Sequence, residues 1–213
     1  MATLWITLLL GGVVGLTCAP SSVYAARRSA RPAVIRVPLT IHVASEDGRS
    51  VVSEGQILAA VRRANRELAG SEIHVYIRAI VPLQGDPRIE TTRQRFELAR
   101  AAERDGSVHI FYVDRVELTN PRKGDRRVSG VHWRYHGVAR ELRAREYLAV
   151  AQNAPSTTLV HELGHAFGLA HDKATDNLMC SCRRGPRPVF NQRQGQRLRG
   201  GARRFIARAR RGP

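Results

Sequence analysis

Residues 157–180, T-T-L-V-H-E-L-G-H-A-F-G-L-A-H-D-K-A-T-D-N-L-M-C, constrain this chain more than any other stretch. An apolar helical pattern runs through its first half, with His161 and His165 one turn apart. Both imidazoles therefore project from one helix face and can converge on a single metal ion. Glu162, next to the first histidine, can reach a water at such an ion without being a ligand. A third ligand continuing up the same helix would point away, so the chain has to bend. Gly168 stands three residues after His165, where a left-handed glycine ends a helix and turns the chain back. With that bend, His171 closes a three-nitrogen site and leaves a fourth position for water. Met179 follows eight residues after His171.

H-E-x-x-H-x-x-G-x-x-H followed by a methionine turn resembles the metzincin superfamily of zinc endopeptidases. The resemblance implies one catalytic Zn2+ held by His161, His165 and His171, with Glu162 as general base, Gly168 as the bend and Met179 as the turn methionine. It implies a secreted endopeptidase that hydrolyses protein or peptide substrates with a zinc-bound water. Asp172 follows the third histidine, as in several branches, and is expected to be a structural carboxylate buried behind the site. Some relatives carry a tyrosine two residues after the methionine as an extra zinc or transition-state ligand; here that position is Ser181, so that role is absent. The step from His171 to Met179 resembles matrixins, whereas the N-terminal strand, capped helix and strand look more like pappalysin-type enzymes. Both branches stay open.

The 213 residues suit one domain, and the 43% of hydrophobic residues suffices for a core. Residues 1–25 contain no Asp, Glu, Lys or Arg, and the apolar run at 4–16 is too short to span a bilayer. V-Y-A at 23–25 has the form of a signal-peptidase site, so a signal peptide cleaved after Ala25 and a secreted or periplasmic protein are expected. Only the terminal amine supplies charge to the n-region. Cys18 offers a lipoprotein alternative, although Gly15, Leu16 and Thr17 match the usual lipobox poorly. Residues 26–33 then read as a short basic entry, 34–209 as a single metalloprotease catalytic domain, and 210–213 as a basic tail end. The mature chain is expected to be a monomer without a membrane span. Cys180 and Cys182, one residue apart, leave a strained bridge, free thiols and an intermolecular link all open.

The net charge is +17, and lysine occurs only at Lys123 and Lys173, so the cations are nearly all arginine. Residues 183–213 hold eleven arginines and no acid. Such charge suits acidic substrates, anionic lipid or nucleic acid. The tail arginines fall at helical spacing on an exposed face, however, and no aromatics interleave to stack on bases. A solvated face is the plainer reading, and no specific nucleic-acid partner is expected. Arg183, Arg184 and Arg187 suggest acidic side chains in a substrate. The alternative function is a basic binding protein for an anionic polymer or membrane surface with a vestigial zinc site. Against it, Glu162 is present and no ligand is missing.

Periodicity predicts a strand at 34–43, a turn at Glu46, Asp47 and Gly48, and a helix opened by a Ser53–Gln56 capping box. Ile57, Leu58, Val61, Ala64 and Leu68 should face inward, with Gly70 stopping the helix. A strand at 73–81 should lie parallel to the first, as a crossover unit requires. A loop at 82–90, a helix at 92–104, a buried strand at 108–113 and a charged loop at 119–127 follow. Strands at 128–133 and 147–151 precede the metal-site helix, capped by Ser156 or Thr157 and running to about Leu169. A last helix at 191–209 should pack Leu198, Phe205 and Ile206. This order matches the metzincin-like zincin fold: an α/β (α+β) class with a twisted, mostly parallel sheet, an active-site helix, a methionine turn and a C-terminal helix. The strand at 128–133 is the candidate edge for an extended substrate, with 180–188 as the far wall. His132 and His136 lie near that edge and read as surface or packing residues. His42, His74 and His109 read as packed or half-exposed strand residues.

Overall fold

The first predicted strand forms because Val37, Leu39, Ile41 and Val43 alternate with more polar neighbours, and in the computed structural model all four are buried. The structure describes residues 33–120, 124–136, 142–182 and 185–209. The expected signal peptide, nearly all of the basic entry, Arg183, Arg184 and the tail end at 210–213 lie outside the described residues.

Strand β1 (Ile35–Val43) leads into a small hairpin of β2 (Ser45–Glu46) and β3 (Arg49–Ser50). Asp47 and Gly48 join them at φ 49° and 74°, the positive angles that a two-residue hairpin turn needs. Helix α1 (Glu54–Leu68) opens with the predicted Ser53–Gln56 capping box and buries Ile57, Val61, Ala64 and Leu68. Leu58 falls off that stripe and is 37% exposed. A 3-10 turn at Ala69–Ser71 carries the chain past Gly70 into β4 (Ile73–Pro82). β4 pairs parallel to β1, as the crossover predicts. The Asn65 side chain bonds both the N–H and the carbonyl of Val75, at 2.8 and 2.9 Å, tying α1 to this strand.

β5 (Arg88–Ile89), a two-residue strand, interrupts the predicted loop and precedes helix α2 (Thr92–Ala101), which a Thr91–Gln94 capping box starts. α2 ends three residues before Arg104. β6 (Val108–Val113) is buried throughout. The charged segment predicted as a loop is instead an antiparallel ribbon of β7 (Arg115–Asn120) and β8 (Gly124–Val128). Charge there reports exposure, not backbone: every β8 residue but Val128 is exposed, while the ladder supplies the order. β9 (Gly130–Arg134), β10 (Glu146–Ala151), α3 (Thr158–Ala166) and α4 (Gln192–Ala209) complete the described elements.

The main sheet runs β4-β1-β6-β10-β9, parallel except for β9, which pairs antiparallel with β10 at the edge. Ile41, Ile110, Tyr112, Leu148 and Val150 share the face on which α1 and α3 lie. Among the described residues no helix is long and apolar enough to cross a membrane.

The opposite face carries a buried polar row. His42 Nε2 and His109 Nδ1 are 2.9 Å apart, His109 Nε2 is 3.0 Å from Asp105 Oδ1, and Thr40 donates to Ser107. Burial, then the neighbouring His109, lowers the His42 pKa from 6.5 to about 4. The folded protein thus keeps His42 neutral where the unfolded chain already takes up a proton. Stability is expected to fall as pH drops from 6.5 towards 4. Thermal midpoints across that window should fall less steeply in His42→Gln, which keeps a polar partner for His109 but cannot titrate. Equal slopes in both proteins would remove His42 from the acid response.

Candidate metal centre

Helix α3 is buried from Thr158 to Gly164, an apolar segment laid against the sheet beside β9 and β10. Thr157 takes the N-cap position with helical backbone angles and makes no side-chain cap bond. A turn bond from Thr158 N–H to the Pro155 carbonyl, 2.8 Å, leads the chain in instead. The helix ends at Ala166 and not near Leu169, because Gly168 turns at φ 94°. Gly168 N–H donates to His165 O and Leu169 N–H to Gly164 O, both at 2.9 Å, which satisfies the last carbonyls of the helix. The reversed chain brings His171 back over the helix.

One nitrogen from each of His161, His165 and His171 lies within 4.8 Å of the others, so the three can hold a metal ion. His161 is buried, His165 half-buried and His171 exposed, so the site opens on one side only. Two of the rings are oriented by backbone: His161 Nδ1 is 2.6 Å from the Leu178 carbonyl and His165 Nδ1 is 2.8 Å from the Leu169 carbonyl. A carbonyl only accepts, so each Nδ1 carries the proton and each Nε2 keeps its lone pair. The Nε2 atoms of His165 and His171 face each other at 3.2 Å. This donor set fits zinc: three imidazole nitrogens converge, and two of the rings have the outer nitrogen hydrogen-bonded to backbone.

Met179 is fully buried beneath the helix, and a Cβ built on Gly164 would lie 2.5 Å from its Sδ. The turn does its work through neighbours that side-chain chemistry alone does not single out. Leu178 supplies the carbonyl for His161, and Asn177 Oδ1 accepts from the Met179 N–H at 2.8 Å. The Asn177 side chain exchanges two hydrogen bonds with Gln194, fastening the turn to α4. Asp172, expected to be buried, is only half-buried; it accepts from Ala174 N–H at 3.0 Å and Gln194 Nε2 at 3.4 Å. It thereby caps a local turn and, through Gln194, joins the hydrogen bonds that fasten the methionine turn to α4.

Glu162 is 4% exposed, and its Oε1 lies 2.9 Å from where a Cβ on Gly130 would stand. The carboxylate therefore abuts the start of β9, where only a glycine leaves room. A cleft of about 990 Å³ runs past it, lined among others by Gly130, Val131 and His132 and by Cys180, Cys182 and Pro188. The outer edge of β9 pairs with no strand among the described residues. Cys180 and Cys182 are paired as a disulfide in this structure, one of the arrangements that their spacing left open. His132 lines the cleft, but its Nε2 is 3.6 Å from Glu146 Oε2, within an ion cluster that includes Arg134 and Arg208. His136 and His74 are exposed, whereas His42 and His109 belong to the polar row on the far face of the sheet.

Neither a protein-family profile nor a curated protein matches the chain. Solved structures do. Metalloproteinase-II from Bacteroides fragilis is 14% identical, aligns over 81% of this chain and 55% of its own, and has a TM-score of 0.54. This chain thus spans about half the length of that protein. Mirolysin, in complex with compound 9, is 11% identical over 82% of this chain and 96% of its own, with a TM-score of 0.59. At such identity the likeness concerns the backbone: the chain has the α/β fold of zincin-like metallopeptidases, a mostly parallel sheet backing the helix that carries His161 and His165.

Proposed function

We propose that this chain is a secreted zinc endopeptidase of metzincin type, with His161, His165 and His171 as the zinc ligands and Glu162 as the general base. One observation carries the reading: three imidazole nitrogens converge within 4.8 Å, two of their rings locked by backbone carbonyls, beside a buried carboxylate in an open cleft. Zinc, when bound there, supplies a Lewis acid that polarises a peptide carbonyl and lowers the pKa of water towards about 7. The chain does the rest. The free edge of β9 pairs with an extended peptide and brings its backbone alongside Glu162. Glu162 takes the proton of the attacking water and returns it to the leaving amine. Leu178 and Leu169 hold the two helix histidines in the tautomer whose Nε2 carries the lone pair a metal needs. The Cys180–Cys182 bridge supports an oxidising compartment, in keeping with the apolar leader.

The test is metal content together with cleavage. Purified protein is expected to hold about one zinc per chain, the number a three-histidine site takes, and to cleave casein until a chelator is added. His165→Ala should lose both the metal and the activity while retaining its far-ultraviolet circular dichroism. Zinc retained in His165→Ala, or zinc-loaded protein that cleaves neither casein nor any peptide of a library, would overturn the reading.

A further inference from the structure

The charge of the cleft is one-sided. Arg63 from α1 and Arg126 and Arg127 from β8 line it, and Glu162 is the only acid among the described residues that line it. Two of these cations have partners: Arg63 Nε is 2.8 Å from Glu67, and Arg127 Nε is 2.7 Å from Glu117. Arg126 is exposed, and its side chain makes no hydrogen bond or ion pair with a described residue. In the β7–β8 ladder it stands opposite Leu118, which also lines the cleft, so a cation sits next to an apolar side chain. That pairing suits a glutamate or aspartate whose methylenes rest on Leu118 while its carboxylate meets the guanidinium.

Its place along the cleft follows from chain length. Gly130 abuts the Glu162 carboxylate, and Arg126 precedes Gly130 by four residues, at most roughly 13 Å of extended chain. A peptide lying along this edge rises by about the same amount per residue. We propose that Arg126, within the field of Arg63 and Arg127, selects substrates carrying an acidic side chain within about four residues of the cleaved bond. This rests on the peptidase reading, and it places the preference on β8, apart from the arginines that follow Cys182.

Paired peptides that differ only by Glu against Gln at successive positions around the cut test it, with kcat/KM measured for the wild type. At low salt the Glu peptide is expected to be favoured about three- to tenfold at one position, with the ratio shrinking as salt rises. Arg126→Glu should invert that ratio. Arg197→Glu, the same change of charge on the exposed face of α4, should leave it near the wild-type value. A ratio of one at every position, or equal effects of the two substitutions, would overturn the proposal, the second by tracing the preference to net charge alone. Fluorescence anisotropy of the same peptides on Glu162→Gln protein needs no turnover. It therefore decides the acidic preference even if no peptide is cleaved, a result that would sink the peptidase reading separately.

Discussion

Glu162→Gln is expected to keep its zinc and its fold while losing about 10² to 10⁴ in kcat/KM, the range a positioned general base contributes. The substitution is nearly isosteric, which matters because Oε1 packs close against Gly130, next to the Thr158 methyl group. An amide fits there but cannot take up the proton of water at neutral pH. Two of the three histidines are oriented by the carbonyls of Leu178 and Leu169, which the substitution leaves in place. Metal analysis, circular dichroism and kcat/KM on one peptide separate the effects. Activity within about tenfold of wild type would mean that the proton goes to another group. Lost zinc would mean that Glu162 belongs to the metal's support and not to proton transfer.

Much of the architecture that presents this carboxylate is legible in the residues. Val37, Leu39, Ile41 and Val43 announce a strand by alternation, and Ser53 with Gln56 announces a helix start that the structure reproduces bond for bond. The bend at Gly168 is legible because few other residues adopt φ 94° without strain. The β7–β8 ribbon is not. Arg126 and Arg127 read as solvent-facing, which they are, but polarity does not distinguish an exposed ladder from an exposed loop. The orienting groups of the metal site are hidden for a different reason: Leu169 and Leu178 act through carbonyls that every residue possesses. Asn177 was within reach, as an asparagine two residues before Met179 can accept from its N–H. Gln194, seventeen residues further on, carries no local signal of its role. What a sequence encodes in side-chain type is readable, and what it encodes in backbone placement waits for the fold.

The second large effect concerns that placement. Gly201, buried in the middle of α4, is expected to tolerate no side chain: Gly201→Ala should lower stability by about 3 kcal/mol, at the upper end of overpacking penalties. A methyl group there would overlap the Phe167 carbonyl oxygen and lie 2.5 Å from its carbonyl carbon and 2.8 Å from its Cα. These are backbone atoms of the residue that caps the end of α3, so no rotamer change relieves the clash. Alanine gains only about 0.5–1 kcal/mol over glycine in a helix interior, which leaves the sign destabilising. For a domain of this size the loss corresponds to a fall of about 6–12 °C in Tm. Gly200→Ala is the control. Its nearest neighbour would be the flexible end of Arg204 at 3.4 Å, so it should melt at or slightly above wild type. The consequence reaches the metal, because pushing Phe167 aside also moves Gly168 and the turn between His165 and His171. Zinc affinity, read by competition with a chelator, should therefore fall with Tm in Gly201→Ala and stay unchanged in Gly200→Ala. If both variants melt together, α4 is not braced against the end of the metal-site helix as the contact implies. If Tm drops but zinc affinity holds, the turn at Gly168 is rigid enough to keep its own geometry without α4.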